Sequence, residues 1–269
     1  MRLGVVTDVH LAQVPHATAR WHNEFDFAGA GRRLRKSLRM LSECGVDAVV
    51  VLGDLTESGD SASLDQSLAI LATAGLPTLL VPGNHDCIES ARAMPDAVAR
   101  AGGGLAMAGP AAVSVNGLGV AGVSLARPAA GRGFAAAELP QMAERLVLLS
   151  HYPLLSRREA VTAAGYKYAG DLVGRERLAA HVDGRPAVAI SGHLHVRDAV
   201  SDGPLLQLLL PAMIEPPYAC AVVEVGGNPF RASYRAIPLQ PTPEGLDVPL
   251  FVPDSASWVL EDGAWRATG

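Results

Sequence analysis

The chain has 269 residues, of which 49% are hydrophobic and 18% are charged. This length and apolar content exclude a disordered or coiled-coil protein, and they predict one large domain or one domain with a small appendage. The formal net charge of −5 disfavours polymeric nucleic acid as a partner, because such binding depends on lysine and arginine.

Short apolar runs alternate with amphipathic stretches as far as His195. Such runs predict buried strands covered on both faces, and the amphipathic stretches predict helices. The predicted strands are Leu3 to Thr7, Ala48 to Leu52, Thr78 to Val81, Leu146 to Leu149 and Ala187 to Ile190. The predicted helices are Gly31 to Cys44, Asp60 to Ala74, Glu89 to Ala101 and Asp171 to Val182. This alternation is typical of an α/β fold.

After His195 the pattern changes to strand-like runs joined by Gly and Pro turns, which predicts antiparallel pairing. These runs are Leu205 to Leu210, Tyr218 to Val225 and Arg231 to Ile237. Beyond them, an Asp-Gly pair between Trp258 and Trp265 predicts a terminal β-hairpin. We therefore divide the chain into a main domain, residues 1–238, and a C-terminal accessory segment, residues 239–269. The apolar residues of this segment need cover from the domain itself or from a second copy in a homo-oligomer.

The cysteines and the N-terminus indicate a compartment. Cys44, Cys87 and Cys220 lie far apart, which predicts free thiols in a reducing environment. The N-terminal residues lack the pattern of a secretory signal, and no run approaches the roughly 18 apolar residues of a membrane span. We expect a soluble cytoplasmic protein without membrane contact.

Acidic, amide and imidazole residues follow five predicted strands where those strands end. The clusters are Asp8-Val9-His10, Gly53-Asp54, Gly83-Asn84-His85-Asp86, His151 and Gly192-His193-Leu194-His195. Ligand sites in α/β sheets form beyond the carboxyl ends of strands, so we expect the five clusters to build one site. Each cluster alone is also typical of a turn cap or a core histidine. Their shared placement favours the site.

In this order the clusters resemble the motifs of the calcineurin-like metallophosphoesterases, most closely the class III cyclic nucleotide phosphodiesterases. The resemblance implies a four-layer α/β/β/α sandwich of two mixed sheets flanked by helices, with a two-metal centre. It implies that one ion is held by Asp8, His10 and His195, that the other is held by Asn84, His151 and His193, and that Asp54 bridges both. It also implies that His85 stands near the leaving group, with Asp86 behind it.

The chemistry of these ligands agrees with a metal centre. Carboxylate, amide and imidazole groups without thiolate suit Mn, Fe, Zn or Co. Two such ions can share a hydroxide, lower its pKa towards neutrality and clamp phosphoryl oxygens during in-line attack. The imidazole of His85, which is not a ligand, can protonate the departing alkoxide. A carboxylate beside it raises its pKa and fixes its tautomer, which is the role expected for Asp86.

Two loops carry aromatic and basic residues that can contact a substrate, although ordinary surface loops also carry such residues. These candidates are Arg20, Trp21, His22, Tyr166, Lys167 and Tyr168. The leading function is hydrolysis of a small phosphodiester such as a cyclic nucleotide. One alternative is a phosphomonoesterase with the same centre. The other is a non-catalytic scaffold, and the complete set of ligands disfavours the scaffold. The five clusters contain no arginine or lysine, which favours a singly charged diester over a doubly charged monoester.

Overall fold

The structure, a computed structural model, describes residues 1–13, 19–128, 132–246 and 248–268. Its helices are α1 (Phe27–Glu43), α2 (Ser61–Ala72), α3 (Ala93–Ala101), α4 (Arg158–Ala163) and α5 (Arg175–Val182). Its strands are β1 (Arg2–Val6), β2 (Ala48–Leu52), β3 (Thr78–Val81), β4 (Leu105–Met107), β5 (Val113–Val115), β6 (Leu118–Gly122), β7 (Leu125–Ala126), β8 (Ala135–Ala136), β9 (Leu146–Leu149), β10 (Ala187–Ser191), β11 (Asp198–Asp202), β12 (Leu205–Leu209), β13 (Ala219–Gly226), β14 (Arg231–Pro238), β15 (Ser255–Glu261) and β16 (Ala264–Ala267).

Two mixed sheets form the centre of the fold. The larger sheet has the strand order β16-β15-β14-β13-β1-β2-β3-β4, and the smaller has the order β11-β12-β10-β9-β6-β5. Neighbours from β1 to β4 run parallel, as do β6, β9, β10 and β12. The strands from β13 to β16 pair antiparallel, as predicted. The same prediction holds only in part for β12, which is antiparallel to β11 but parallel to β10. The carboxyl ends of the parallel strands are the ends that carry the predicted ligands.

The apolar residues of each central strand pack in two directions. Val50 of the larger sheet and Val147 of the smaller sheet share the core between the sheets. Val49, on the opposite face of the same strand, packs in a second core with Leu34 of α1. Leu148 lies in a third core with residues of α5. Since alternate strand residues face opposite ways, these cores establish four layers, and the α/β/β/α sandwich is confirmed.

Three helices, α2, α3 and α5, are shorter than predicted, and α3 and α5 begin late for local backbone reasons. α3 begins at Ala93, which places Pro95 in its first turn. A start at Glu89 would have put this proline, which has no N–H to donate, inside the helix. α5 begins at Arg175 because Gly174, with φ of 68°, adopts the left-handed conformation and interrupts the helix.

The C-terminal hairpin forms as predicted and extends the larger sheet beyond β14. Trp258 and Trp265 are buried in the core between the sheets, so the domain itself covers them. These two residues therefore give no reason for a second copy of the chain. The three cysteines are free, as predicted. Among the described residues, no helix is long and apolar enough to cross a membrane.

Candidate metal centre and substrate pocket

The five predicted ligand clusters meet where the carboxyl ends of both sheets come together. The Asp8 amide donates to the Gly53 carbonyl at 3.1 Å, which joins the first two clusters. His151 Nδ1 donates to the Leu52 carbonyl at 2.8 Å, which joins the smaller sheet to the larger. The Gly192 amide then donates to the His151 carbonyl at 3.1 Å. The His85 amide donates to Asp54 Oδ1 at 2.8 Å, which brings in the remaining cluster, so hydrogen bonds tie all five clusters into one site.

Several candidate ligands adopt a backbone conformation that residues with a side chain rarely take. The φ angles are 52° at Asp8, 50° at His10, 48° at Asp54, 68° at His193 and 55° at His195. Left-handed non-glycine residues of this kind persist only where surrounding contacts hold them, and they concentrate at functional sites. The chain therefore turns abruptly at the ligands that follow β1, β2 and β10.

Two glycines make the close approach of these turns possible. A Cβ atom at Gly83 would overlap the Asp54 carboxylate, and one at Gly192 would overlap the side chains of Thr7 and Asp8. Any larger residue at either position would push a carboxylate out of the site. These two glycines that precede ligands are therefore needed for space.

Asp54 lies at the middle of the cluster. Its Oδ2 atom is 3.6 Å from His10 Nε2 on one side and 3.3 Å from His151 Nε2 on the other. Single ligand atoms of Asp8, His10 and His195 lie within 4.8 Å of one another, and so do those of Asp8, Asp54 and His151. Asp8 is common to these two groups, and a single oxygen of Asp54 lies between His10 and His151.

Asn84 and His193 complete the second group. Asn84 Oδ1 lies 3.1 Å from His151 Nε2, and His193 Nδ1 lies 3.2 Å from the same nitrogen. All seven predicted ligands are therefore brought together.

The donor set fits divalent cations. Within the described residues, Asp8 Oδ1, His10 Nε2 and His193 Nε2 are buried atoms without a hydrogen-bond partner. His10 donates its other ring proton to Glu57, so its Nε2 carries a lone pair directed into the cluster. Buried lone pairs and carboxylates without partners are costly unless a cation satisfies them. This arrangement is the one expected of metal ligands.

Two glutamates that sequence reasoning missed support the histidines. His10 Nδ1 donates to the Glu57 carboxylate at 2.7 Å, and His195 Nδ1 donates to the Glu215 carboxylate at 2.6 Å. A carboxylate behind a histidine fixes the tautomer and makes the other nitrogen a stronger ligand. Glu57 follows Asp54 closely in sequence, which is a signal that could have found it, whereas nothing near Glu215 marks it.

The electrostatics of the cluster without bound cations are those of buried ion pairs. Burial disfavours ionisation of Asp8, but the charge of His195, whose Nε2 lies 3.3 Å from Asp8 Oδ1, outweighs burial and lowers the pKa of Asp8 to about 2. Burial lowers the pKa of His195, but Asp8 and Glu215 outweigh it and raise that pKa to about 10. Burial is likewise outweighed at His151, where Asp54 raises the pKa to about 9. Protons therefore take the place of cations on these histidines.

His85 lies at the rim of the cluster, but its carboxylate partner differs from the expected one. Its Nδ1 donates to the Glu57 carbonyl at 2.7 Å and lies 3.4 Å from the Glu57 carboxylate. This leaves Nε2 to carry the exchangeable proton. Burial lowers the pKa of His85, but Asp54 and Glu57 outweigh burial and raise it.

The expected contact between Asp86 and His85 is corrected by the structure. The Asp86 carboxylate is fully buried and accepts hydrogen bonds from the backbone amides of Leu55, Thr56 and Gly83. The tight turn after Asn84 directs this side chain inward, beneath the cluster. Asp86 therefore fixes the backbone that carries the ligands, and Glu57 is the carboxylate that stands beside His85.

A cavity of about 460 Å³ opens directly over the cluster. Its polar side is lined by His10, Asp54, Glu57, Asn84, His85, His193 and His195. Its outer wall consists of Arg20, Trp21, Phe25, Phe134, Tyr152 and Tyr168. The cavity combines a polar floor with an aromatic wall and one cation, which is typical of a small-molecule site.

The structure divides the six predicted substrate contacts into two sets. Arg20, Trp21 and Tyr168 line the cavity. The other three lie behind this lining, and their contact with a substrate stays a prediction. His22 Nε2 donates to the Leu194 carbonyl at 2.9 Å, the Tyr166 ring lies 5.2 Å from the His22 ring, and Lys167 Nζ lies 5.6 Å over the Trp21 ring.

Arg20 gives the cavity a positive charge that the five ligand clusters lack. No arginine or lysine occurs in the five clusters, yet the fold brings Arg20 into the cavity wall. Within the described residues, its guanidinium has no carboxylate partner among the ion pairs. Since a loop places this residue, the spacing of the strand-end motifs could not reveal it.

Comparison with known proteins gives the fold and the family. A dimetal phosphatase from Danio rerio is similar with a TM-score of 0.60 and 15% identity, over 89% of this chain and 96% of its own. A Thermus thermophilus protein has a TM-score of 0.52 and 14% identity, over 81% of this chain and 92% of its own. A purple acid phosphatase from yellow lupin has a TM-score of 0.54 and 13% identity, over 95% of this chain and 53% of its own.

At such identities these likenesses show the fold alone. The comparison with curated proteins finds no match. The family model described as calcineurin-like phosphoesterase matches residues 1–197, a stretch that contains all five ligand clusters. The chain therefore belongs to the calcineurin-like phosphoesterases.

Proposed function

We propose that the protein is a phosphoester hydrolase that uses two divalent metal ions and acts on small phosphodiesters. The observation that carries the proposal is the position of Asp54 Oδ2 between His10 Nε2 and His151 Nε2, at 3.6 and 3.3 Å. A single carboxylate oxygen between two sets of ligands is the arrangement that a bridging ligand requires. The family membership of residues 1–197 supports the same reading.

The ligands divide into two halves around Asp54. The first half consists of Asp8, His10 and His195, and the second half of Asn84, His151 and His193. When bound, Mn, Fe, Zn or Co ions would activate water and neutralise charge on the phosphoryl oxygens. Asp54 keeps the two halves at a fixed separation, because His85 N donates to its other oxygen at 2.8 Å.

His85 is proposed as the acid that protonates the leaving oxygen. Its Nδ1 is occupied by the Glu57 carbonyl, so the proton available to a substrate lies at Nε2. The ring lines the cavity and is partly exposed, which allows this proton to reach a substrate oxygen. Because the pKa of His85 is raised, a larger fraction of the rings carries the acidic proton at neutral pH than in a free histidine.

The cavity supports a diester substrate because it extends past the ligands to an aromatic wall. A diester carries a second substituent on phosphorus, and the rings of Trp21, Phe134 and Tyr168 offer an apolar surface for it. A flat group such as a nucleobase stacks on such rings. Cyclic nucleotides are therefore proposed among the substrates.

The proposal is tested by kcat/KM for bis-p-nitrophenyl phosphate against p-nitrophenyl phosphate at matched metal loading. The same comparison follows for 2′,3′- and 3′,5′-cyclic nucleotides against nucleotide monophosphates. We expect the diester to be preferred in both pairs. A preference for the monoester in both pairs would overturn the diester assignment.

Arg20 is the observation that favours phosphomonoesters as the second candidate substrates. A guanidinium in the cavity wall can bind the additional negative charge of a monoester. If monoesters are the substrates, Arg20→Gln lowers their kcat/KM more than that of diesters. Lys167→Gln is the matched control, because Lys167 stands outside the cavity on the Trp21 ring.

A further inference from the structure

The C-terminal segment approaches the candidate metal centre through residues 248–254, which we call the strap. The Arg197 amide donates to the Pro249 carbonyl at 3.0 Å, and the Phe251 amide donates to the Arg197 carbonyl at 2.8 Å. The buried Arg197 side chain donates from Nε to the Val252 carbonyl at 2.9 Å and pairs with Asp254. The strap therefore holds the backbone two residues after His195.

The strap is itself anchored on the larger sheet. The Ala236 amide of β14 donates to the Asp254 carbonyl at 2.7 Å. The Tyr234 hydroxyl, on the same strand, donates to the Pro253 carbonyl. Because Arg197 leads into β11 of the smaller sheet, the strap joins the two sheets beside the ligands.

An apolar cluster lies beneath these hydrogen bonds. Leu194 and Val196, which flank His195, are buried in it, and Phe251 of the strap packs against it. The Tyr166 ring also packs on this cluster, 6.4 Å from the Phe251 ring. The side chains on either side of His195 are thus covered by the strap.

The second brace comes from the loop near the N-terminus. His22 Nε2 donates to the carbonyl of Leu194, the residue between the two histidine ligands, at 2.9 Å. The Tyr166 ring packs edge-on against the His22 ring with a centroid separation of 5.2 Å. The chain of contacts therefore runs from the strap through Tyr166 to the Leu194 carbonyl.

The backbone that these contacts hold is strained. His193 and His195 have φ angles of 68° and 55°, so the turn between them is disfavoured for residues with side chains. Such a turn keeps its shape only where neighbouring groups determine it. The His22 bond at Leu194 and the strap bonds at Arg197 enclose this turn from both sides.

We propose that His22 and the strap are positioning elements that hold His193 and His195 in the conformation that binds metal. This inference rests on the proposed function, since it takes both histidines to be ligands. It also revises the expectation that residues 239–269 are accessory, because a segment beyond the last motif helps to shape the centre.

The test uses the full chain in four variants. His22→Ala and Phe251→Ala remove one brace each, and His22→Gln retains an N–H that can reach the Leu194 carbonyl. Trp265→Leu is the matched control. It removes a larger buried aromatic ring of the C-terminal segment, which packs on Phe230 and bonds to Pro204 at the far end of β11.

Two readouts separate positioning from general stability. Amide hydrogen exchange of residues 193–197 in metal-free protein reports the turn itself, and competition with a chelator gives the affinity for Mn²⁺ or Zn²⁺. We expect faster exchange in His22→Ala and Phe251→Ala, with affinity weakened about 10- to 100-fold. His22→Gln should exchange more slowly and bind metal more tightly than His22→Ala. Trp265→Leu should lower Tm and leave exchange and affinity unchanged.

The inference is overturned if His22→Ala and Phe251→Ala fold and match the wild type in both readouts. It is also overturned if Trp265→Leu shows the same changes, since these would then follow from lost stability. Failure of the proposed function looks different: the wild-type chain would bind no ion. The exchange rates of the metal-free variants would still decide whether these residues hold the turn.

Discussion

The two halves of the candidate centre differ in what stands behind their histidines. In the first half, carboxylates of Glu57 and Glu215 accept the second ring proton of His10 and His195. In the second half, His151 donates instead to the backbone carbonyl of Leu52. The ligand that completes each half differs as well, because the first has a carboxylate, Asp8, and the second has the neutral amide of Asn84.

This difference predicts unequal metal affinity. Carboxylates behind imidazoles increase the basicity of the ligand nitrogen, and they add negative charge near the ion. The first half should therefore bind its ion more tightly than the second. Two sites that share one bridging residue can in this way be filled in sequence.

The largest effect is expected from Asp54→Ala, which removes the ligand that both halves share. We expect both ions to be held weakly and turnover to fall to background, because a single Asp54 oxygen lies between His10 of the first half and His151 of the second. Equilibrium dialysis with metal analysis measures this. Full occupancy of both sites in the variant would contradict a shared ligand, since the two halves would then bind their ions independently.

The second-largest effect is expected from His85→Ala, which leaves the proposed metal ligands of both halves in place. The variant should keep both ions and lose turnover on the order of 10²- to 10⁴-fold, as expected for a lost general acid. The loss should be smaller for p-nitrophenolate than for a poor leaving group, because a good leaving group needs little protonation. Equal losses for both would indicate positioning instead of proton transfer.

A smaller effect separates the two halves directly. Glu215→Gln removes the charge behind His195 and should weaken the tighter site about 10- to 100-fold, with the weaker site nearly unchanged. Asp198→Asn is the control, because Asp198 is a buried carboxylate that pairs with Arg157 outside the centre. Chelator titration resolves the two affinities. Equal weakening of both sites would contradict the assignment of Glu215 to the first half.

The smallest effect concerns protons. In the metal-free chain the pKa of His195 is raised to about 10 and that of His151 to about 9. Both rings are therefore positively charged imidazolium ions, with a proton on each nitrogen, at neutral pH. Each ion must displace one of them, and affinity should therefore rise with pH by about tenfold per unit for each proton displaced. Calorimetry in buffers of different ionisation enthalpy counts these protons. Binding without proton release at pH 7 would contradict the described ion pairs.

The central strands and their ligand clusters could be predicted because the information is local. Three strands, Ala48–Leu52, Thr78–Val81 and Leu146–Leu149, have the predicted bounds, since apolar runs end where a polar ligand begins. The resemblance in the motifs gave the four layers correctly. Helix starts depend on single residues such as Pro95, which apolar periodicity does not register.

The supporting residues could not be predicted because distant segments bring them together. Glu215 reaches His195, and the strap reaches Arg197, only after the two sheets have packed. Arg20 enters the cavity wall on a loop whose course no periodic pattern encodes. The assignment of Asp86 was wrong for a related reason, since sequence adjacency to His85 did not determine the direction of its side chain.

The central claim is that two halves of one site act together on a phosphoester. The most direct test titrates metal-free wild-type protein with Mn²⁺ or Zn²⁺ while bound metal and hydrolysis of bis-p-nitrophenyl phosphate are measured in the same samples. We predict that the first equivalent binds with little activity, and that activity rises with the second and saturates at two ions per chain. Full activity at one ion per chain, or activity that persists in excess chelator, would contradict the claim.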